Sequence, residues 1–168
     1  NDWYAYLNTA GYDIIVLGDH SNNYLQYDGL ASEANIKTAV ADVISIADSD
    51  DIIVFTSSGH GSDYKTGRGR TATYDQLICC WDMSAGVDGE DGILWDDEFQ
   101  VMWAGAIANT FIFLDHCYSG GMDELMSNAN NPAIYMATTC TDDGYGYDMP
   151  TYNNGAWTYF FLEFALIG

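Results

Sequence analysis

Residues 110–121 read T-F-I-F-L-D-H-C-Y-S-G-G, and the rest of the chain can be arranged around this stretch. The run from Phe111 to Leu114 is continuously apolar and ends at a charge, a pattern typical of a buried strand in a parallel sheet. Cys117 follows directly after that strand. Ligands of open α/β sheets bind outside the carboxyl ends of the strands, so this cysteine is placed for chemistry. The alternative interpretation is a small buried hydrophobe.

A second apolar run, D-I-I-V-F-T-S at 51–57, leads into a short polar motif that contains His60 and Gly61. If the two strands are parallel neighbours, their carboxyl ends meet and His60 lies beside Cys117. A histidine can take the thiol proton, and the thiolate is the nucleophile. The backbone N–H groups of Gly61 and Cys117 are then candidates for an oxyanion hole. Taken alone, His60 is better explained as an ordinary loop histidine, but both motifs in this order favour a catalytic dyad.

These motifs, S-G-H-G at 58–61 and D-H-C-Y-S-G at 115–120, resemble those of the caspase-like (clan CD) cysteine peptidases and, within them, the metacaspases. The resemblance implies a three-layer α-β-α sandwich with a mostly parallel central sheet, and it places residues 1–168 in one peptidase domain. The caspase-like fold has one further strand before the first helix, in the middle of the sheet. We therefore expect an N-terminal segment outside this chain to supply the missing strand.

The remaining patterns alternate between helix and strand, which independently favours an α/β sandwich. Besides the two strands above, they predict helices over 1–9, 32–47, 97–104, 121–127 and 156–167, strands over 12–17, 74–81 and 133–139, and loops over 18–29, 62–73, 82–92 and 141–154. Ser32 and Asp96 are the expected caps of the second and third helices.

Composition narrows the classes of partner. The 168 residues carry 25 acids against 4 bases, a net charge of −21. Nucleic acid and anionic membrane surfaces are poor partners for such a field. No apolar run approaches the roughly 18 residues that a membrane span needs. The four cysteines include no C-x-x-C pair, which argues against a zinc site, and no targeting segment indicates a localisation.

Acidic residues near Cys117 bear on specificity. Asp115 lies two positions before the nucleophile, so on a strand both side chains face the same way. The resemblance implies that Asp148, which closes the loop after the next strand, joins Asp115 in the primary specificity pocket, with Asp142 as its substitute if the loop register differs. Two carboxylates select Arg or Lys. We therefore expect peptide or protein substrates with basic residues, cleaved after Arg or Lys.

Two other functions stay open at this stage. Legumains are similar in the dyad and in the acid two residues before the cysteine, and they cut after Asn and can ligate. A catalytically inactive, calcium-binding interaction module is the second alternative. Caspases proper cut after Asp and need basic pocket residues, which this chain, with three of its four bases in one loop, does not provide.

The resemblance also implies calcium, held by acids near the dyad. The corresponding positions are Asp82, the pair Asp96 and Asp97, and Glu124 or its neighbour Asp123. Carboxylate oxygens are the ligands that calcium prefers. Helix capping and solvation are the alternative explanation for the same acids.

Three bases, Lys65, Arg68 and Arg70, lie within six residues of one another in the predicted loop 62–73. Beside an active site that cuts after basic residues, they are candidate autoprocessing sites. The alternative is a patch of counter-charge in a very acidic protein. His116 is adjacent to Cys117, and strand alternation predicts that it faces the opposite side, so we assign it no role.

Overall fold

The computed structural model describes residues 1–20, 22, 24–66, 73–127 and 133–167, and the chain folds into a mixed α/β structure. The elements in chain order are α1 (Asp2–Ala10), β1 (Leu17–Gly18), β2 (Gly29–Leu30), α2 (Glu33–Ile46), β3 (Ile52–Ser58), β4 (Gly61–Thr66), β5 (Thr73–Cys79), β6 (Ile93–Trp95), α3 (Asp96–Met102), β7 (Asn109–Asp115), a 3-10 helix (Ser119–Ser127), β8 (Ile134–Thr138), β9 (Asp148–Met149), β10 (Asn154–Gly155) and α4 (Ala156–Thr158), which continues as a π-helix (Tyr159–Ile167).

The central sheet has the strand order β3-β7-β8, and all three strands are parallel. The register runs from Ile52 opposite Asn109 to Ser58 opposite Asp115. The middle strand is the apolar run identified in the sequence, and its Ile112 is fully buried. A parallel sheet covered on both faces requires such a run. Both predicted motifs therefore leave the sheet at the same edge.

Side chains that alternate along β7 divide the molecule into three layers. Ile112 and Leu114 belong to one core with α2, α3 and the 3-10 helix. Phe113 faces the other way, where its ring lies 4.9 Å from Trp3 of α1 and 5.1 Å from Phe161 of the final helix, between ring centroids. The predicted α-β-α sandwich with a parallel central sheet is confirmed. Within the described ranges, no helix is long and apolar enough to cross a membrane.

The prediction of a strand over 12–17 is wrong for most of that range. Only Leu17–Gly18 enters a ladder, with Gly29–Leu30. Upstream, loop side chains bind the backbone instead: the Val16 N–H donates to the Asp28 carboxylate at 2.7 Å, and the Gln26 side chain donates to the Ile14 carbonyl at 2.7 Å. Side-chain bonds of this kind compete with ladder bonds for the same backbone groups.

The loop predicted over 62–73 begins as a strand. Gly61–Thr66 pairs antiparallel with Thr73–Cys79, which in turn pairs with Ile93–Trp95. Opposite residues on the two strands include Lys65 and Tyr74, with the ammonium 5.4 Å from the ring centroid. Cross-strand contacts of this kind stabilise a hairpin despite the glycines and bases that suggested a loop.

The first turn of α3 differs slightly from the expected cap. Ser32 caps α2 as predicted, its hydroxyl accepting from the Asn35 N–H at 3.3 Å. In α3 the capping position is Trp95 rather than Asp96. The Trp95 N–H donates to the Glu98 carboxylate at 3.2 Å, so the third acid of the helix closes its N-terminus.

Candidate active site

The ends of β3 and β7 bring the two predicted catalytic segments together. Beyond the last paired residues, the Gly59 N–H donates to the Asp115 carbonyl at 3.2 Å. A Cβ placed on Gly61 would overlap the Cys117 carbonyl oxygen, so the backbone after His60 lies directly against that of Cys117. His60 is exposed and Cys117 is half-buried. The edge of the sheet thus presents an accessible histidine and a cysteine from neighbouring strand ends.

Backbone pairing orients the predicted oxyanion donor. The Cys79 N–H donates to the His60 carbonyl at 2.9 Å, and Gly61 lies opposite Ile78. Hydrogen-bonded and non-hydrogen-bonded pairs alternate along an antiparallel ladder, so the Gly61 N–H points away from β5. Because Gly61 lacks a side chain, an acyl group can approach this N–H closely.

The loop 140–148 packs against Cys117 and Tyr118. The Cys117 Sγ lies 3.8 Å from the Gly146 carbonyl oxygen. The next residue, Tyr118, donates its N–H to the Gly144 carbonyl at 2.9 Å and has a φ of +59°. A non-glycine residue in this left-handed region is strained and persists only where its surroundings hold it.

The two predicted specificity acids have different environments. Asp115 is 5% exposed, and its Oδ2 accepts from the Thr158 N–H at 2.9 Å and from the Thr158 hydroxyl at 2.7 Å. Asp148 is exposed and lies opposite Gly155, where a Cβ would overlap the Asp115 carboxylate. Gly155 therefore separates a buried acid from an open one.

Asp148 lines a cavity of about 260 Å³ next to the carboxyl end of β3. Its other lining residues are Ser58, Met149, Pro150, Asn153, Asn154 and Gly155. Asp142, the substitute in the prediction, lies instead in a second cavity of about 670 Å³. The structure therefore places Asp148, and not Asp142, next to Gly155, the residue that covers Asp115.

The second cavity contains part of the predicted calcium set. Asp96, Asp123 and Glu124 line it. Partial burial and a hydrogen bond with Asp97 raise the pKa of Glu124. Burial also raises the pKa of Asp96, although its carboxylate accepts from the Gln76 N–H at 2.9 Å and the Asp97 N–H at 2.9 Å. We call Asp96, Asp123 and Glu124, together with Asp97, which is hydrogen-bonded to Glu124, the acid cavity.

Asp82 does not line the second cavity, and its place in the calcium set stays a prediction. Its Oδ1 accepts from the buried Glu33 N–H at 3.0 Å. It lies instead beside a cluster of Glu33, Glu90 and Glu98, whose carboxylate oxygens are the only described acid trio within 4.8 Å of one another. The ammonium of Lys37 contacts all three glutamates. We call these four residues the lysine cluster.

His116 is placed differently from the prediction. Its ring does not face away from the site: Nδ1 lies 3.0 Å from the Cys117 carbonyl oxygen and would meet a Cβ on Gly61. The side chain is 2% exposed, and burial lowers its pKa. Alternation failed as a guide because β7 ends at Asp115, one residue earlier. The only signal in the sequence was adjacency to the nucleophile.

Cys79 and Cys140 lie near Cys117 and His116, and none of the four cysteines forms a disulfide. Cys140 donates its thiol to the His116 carbonyl at 3.5 Å. Burial raises the pKa of the Cys79 thiol, and the nearby Cys117 adds to that rise. Of the candidate autoprocessing residues, Lys65 lies on β4, whereas Arg68 and Arg70 lie outside the described residues.

Comparison with known proteins agrees with this arrangement. The family model described as "Metacaspase, peptidase C14 domain" matches residues 3–126, a range that contains both His60 and Cys117. The chain belongs to the metacaspase family. The predicted resemblance is confirmed, and the metacaspases are a family of cysteine peptidases.

One curated metacaspase relative is Metacaspase-4 of Arabidopsis thaliana, which is 32% identical over 114 residues. The match covers 66% of this chain and 24% of the plant protein, so this chain spans about a quarter of that relative's length. A crystal structure of a Geobacter sulfurreducens protein superposes with a TM-score of 0.56 at 19% identity. The superposition covers 79% of this chain and 62% of the Geobacter protein, and it supports the fold alone.

Proposed function

We propose that this chain is a cysteine endopeptidase domain that hydrolyses peptide bonds after Arg or Lys. The main support is the parallel register of β3 and β7, which places the backbone of His60 and Gly61 against Cys117. The range that the metacaspase family model matches contains both His60 and Cys117.

The chemistry follows from these groups. The Cys117 thiol passes its proton to His60, and the thiolate attacks the scissile carbonyl carbon. The N–H groups of Gly61 and Cys117 stabilise the oxyanion. When the intermediate collapses, the C–N bond breaks, His60 protonates the leaving amine and a thioester remains on Cys117. Water, deprotonated by His60, then attacks the thioester and releases the carboxylic acid and the thiol.

Specificity for Arg or Lys rests on the smaller cavity. Asp148 offers it an exposed carboxylate, and Asp115 lies behind Gly155 with its charge held by Thr158. A guanidinium can bind a carboxylate through two parallel hydrogen bonds, which favours Arg over Lys. Asp148→Asn should lower kcat/KM for Arg substrates about tenfold, since a charge-assisted hydrogen bond contributes roughly 1.5–3 kcal/mol. An unchanged kcat/KM would move the specificity site elsewhere.

Calcium is the cation that we propose for the acid cavity. Asp96, Asp97, Asp123 and Glu124 provide oxygen donors only, which fits the chemistry of calcium ligands. The ion would neutralise charge between α3 and the 3-10 helix that follows Cys117. Calorimetric titration with calcium tests this assignment, and a flat titration would remove it.

Self-cleavage at Lys65, Arg68 or Arg70 is a related proposal, supported by the position of Lys65 on the strand that begins at Gly61. Prolonged incubation should shorten the wild type by intact mass but leave Cys117→Ala whole. Identical masses for both would exclude it.

A strand from a segment outside this chain is the partner that we propose for β3. In the part of the chain that the structure describes, β3 pairs only with β7, and residues 12–16 join no ladder. A strand inserted there would pair with the open backbone groups of β3. Amides of Val54 and Thr56 should then exchange with solvent more slowly in a longer protein that includes the segment. Equal exchange rates would contradict the proposal.

The function itself is tested with fluorogenic peptides ending in Arg, Lys, Asn or Asp, each with calcium or with a chelator. We expect cleavage after Arg and Lys that is absent in Cys117→Ala. Cleavage after Asn would favour a legumain-like enzyme. No cleavage of any peptide, by a protein shown to be folded, would favour an inactive binding module.

A further inference from the structure

The peptide bond between Cys117 and Tyr118 is held at both ends. Its carbonyl oxygen lies 3.0 Å from the His116 Nδ1, and its N–H donates to the Gly144 carbonyl at 2.9 Å. The same peptide leads into the left-handed conformation of Tyr118, with φ at +59°. Such a turn needs external contacts to persist. These two hydrogen bonds are contacts of that kind, and they act directly on the nucleophile's own backbone.

The partner of Nδ1 decides the form of the histidine. A carbonyl oxygen only accepts, so the hydrogen of this bond belongs to Nδ1 of the imidazole. The ring is 2% exposed, and its Nε2 has no hydrogen-bond partner among the described residues. Its own carbonyl accepts from the Cys140 thiol. The Nδ1 atom therefore lies against both the Cys117 carbonyl oxygen and the backbone of Gly61.

We propose that His116 is a positioning residue, whose Nδ1–H holds the Cys117–Tyr118 peptide so that the thiol faces His60 and the N–H of Gly61. The inference rests on the proposed dyad of His60 and Cys117. It assigns no proton transfer to His116. The ring acts through the backbone of the nucleophile, and its contact with Gly61 links the nucleophile to the oxyanion donor.

Two substitutions separate the hydrogen bond from the bulk of the ring. His116→Asn keeps an N–H donor near the position of Nδ1, whereas His116→Leu fills a similar volume without a donor. Loss of the donor lets the peptide rotate, so the thiol spends less time beside His60 and forms less thiolate at neutral pH.

The readout is the rate at which iodoacetamide labels Cys117, measured by peptide mapping at pH 7 and pH 10. At pH 7 we expect His116→Leu to react at least tenfold more slowly than the wild type, and His116→Asn to stay within threefold. At pH 10 we expect all three rates to agree within twofold, because that pH lies above the usual pKa of a cysteine side chain. Peptide hydrolysis should show the same order in kcat, with KM unchanged within twofold.

A merely structural role gives a different pattern. If packing alone matters, His116→Leu, which fills a similar volume, keeps its rate, whereas His116→Asn falls and its Cys140 becomes labelled faster because the core loosens. Either that pattern or an unchanged rate in His116→Leu overturns the proposal. A wild type in which Cys117 reacts no faster than Cys140 would instead refute the dyad, and with it the inference.

A measurement on the wild type covers the case in which the variants do not fold. Long-range proton–nitrogen correlation spectra report which nitrogen of a neutral imidazole carries the hydrogen. The proposal requires the hydrogen of His116 on Nδ1 near pH 7. The Nε2-protonated form would overturn it, because its Nδ1 cannot donate to the Cys117 carbonyl.

Discussion

The lysine cluster and the acid cavity are both groups of carboxylates next to α3, but they differ in what neutralises them. In the lysine cluster, the Lys37 ammonium lies 2.9 Å from Glu90 and 3.0 Å from Glu98 and also contacts Glu33. The acid cavity has no ion pair from any residue that the structure describes. Asp96 and Glu98 thus lie two positions apart on α3, but of these two only Glu98 is paired with a lysine.

The pKa shifts follow this difference. Hydrogen bonds from Lys37 lower the pKa of Glu90, and the three glutamates raise the pKa of Lys37. Burial raises the pKa of Glu33 even with that partner. In the acid cavity the pKa of Glu124 is raised, first by partial burial and then by its acidic neighbours. Lys37 neutralises the lysine cluster and makes it structural. The acid cavity remains available to protons or to an added cation.

The largest effect is expected from Lys37→Met, which leaves Glu33 buried beside two other acids. Breaking a buried pair by removing one partner costs about 3 kcal/mol, equivalent to a fall in Tm of roughly 10 °C for a domain of this size. Chemical denaturation at pH 7 measures the free energy of unfolding. Lys65→Met, on an exposed strand, is the control, and a loss below about 1 kcal/mol would contradict a structural lysine cluster.

The pH dependence of the stability of Lys37→Met follows from the pKa of Glu33. A raised folded pKa for Glu33 contributes stability below the unfolded pKa that is lost as pH rises through the folded pKa. Without Lys37 that pKa rises further, so the deficit of Lys37→Met should be smaller near pH 4 than at pH 7. A deficit that is equal at both pH values would mean that Glu33 is not the group responsible.

Calcium should give the next largest effect, and only through the acid cavity. At calcium equal to 100 times its dissociation constant, the folded protein gains about 2.7 kcal/mol. The double variant Asp97→Asn with Glu124→Gln should lose this gain, while Glu90→Gln keeps it. Thermal melts with calcium or chelator measure the difference. Protons compete for Glu124 because its pKa is raised, so calcium affinity should fall as the pH is lowered. Equal responses in both variants would refute the assignment.

The smallest expected effect is on stability in the absence of calcium, where one substitution in each group should change the free energy of unfolding in opposite directions. Glu124→Gln removes repulsion within the acid cavity and should stabilise the fold by about 0.5 kcal/mol, whereas Glu90→Gln removes an ion pair and should destabilise it by about 0.5 kcal/mol. Denaturation in chelator at pH 7 measures both. The same sign for the two variants would mean that the groups do not differ as described.

Local patterns in the sequence correctly predicted that β3 and β7 are parallel and end together. In an α/β fold, the apolar runs before His60 and Cys117 indicate buried strands, and the carboxyl ends of neighbouring parallel strands meet at a common edge of the sheet. The strand at Gly61–Thr66 was missed because its stability comes from pairing with Thr73–Cys79 rather than from its own composition.

What the sequence could not show near the site is contact between distant parts of the chain. Asp115 is held by Thr158, and Asp82 by the backbone of Glu33. Neither partner is visible from spacing along the chain. For His116, the alternation of strand side chains was applied beyond the residue at which β7 ends. Sequence pattern locates residues on elements, but tertiary contacts decide what loop and strand-end side chains bind.

The dyad is tested most directly by the reaction of the protein with a peptidyl chloromethyl ketone that ends in Arg, followed by intact mass and peptide mapping. The account predicts one adduct per chain, on Cys117, formed at least about 100-fold more slowly in His60→Gln, since a general base contributes roughly 10²–10⁴-fold. Cys117→Ala should form none. An adduct on another cysteine, or an equal rate in His60→Gln, would contradict the proposed catalytic pair.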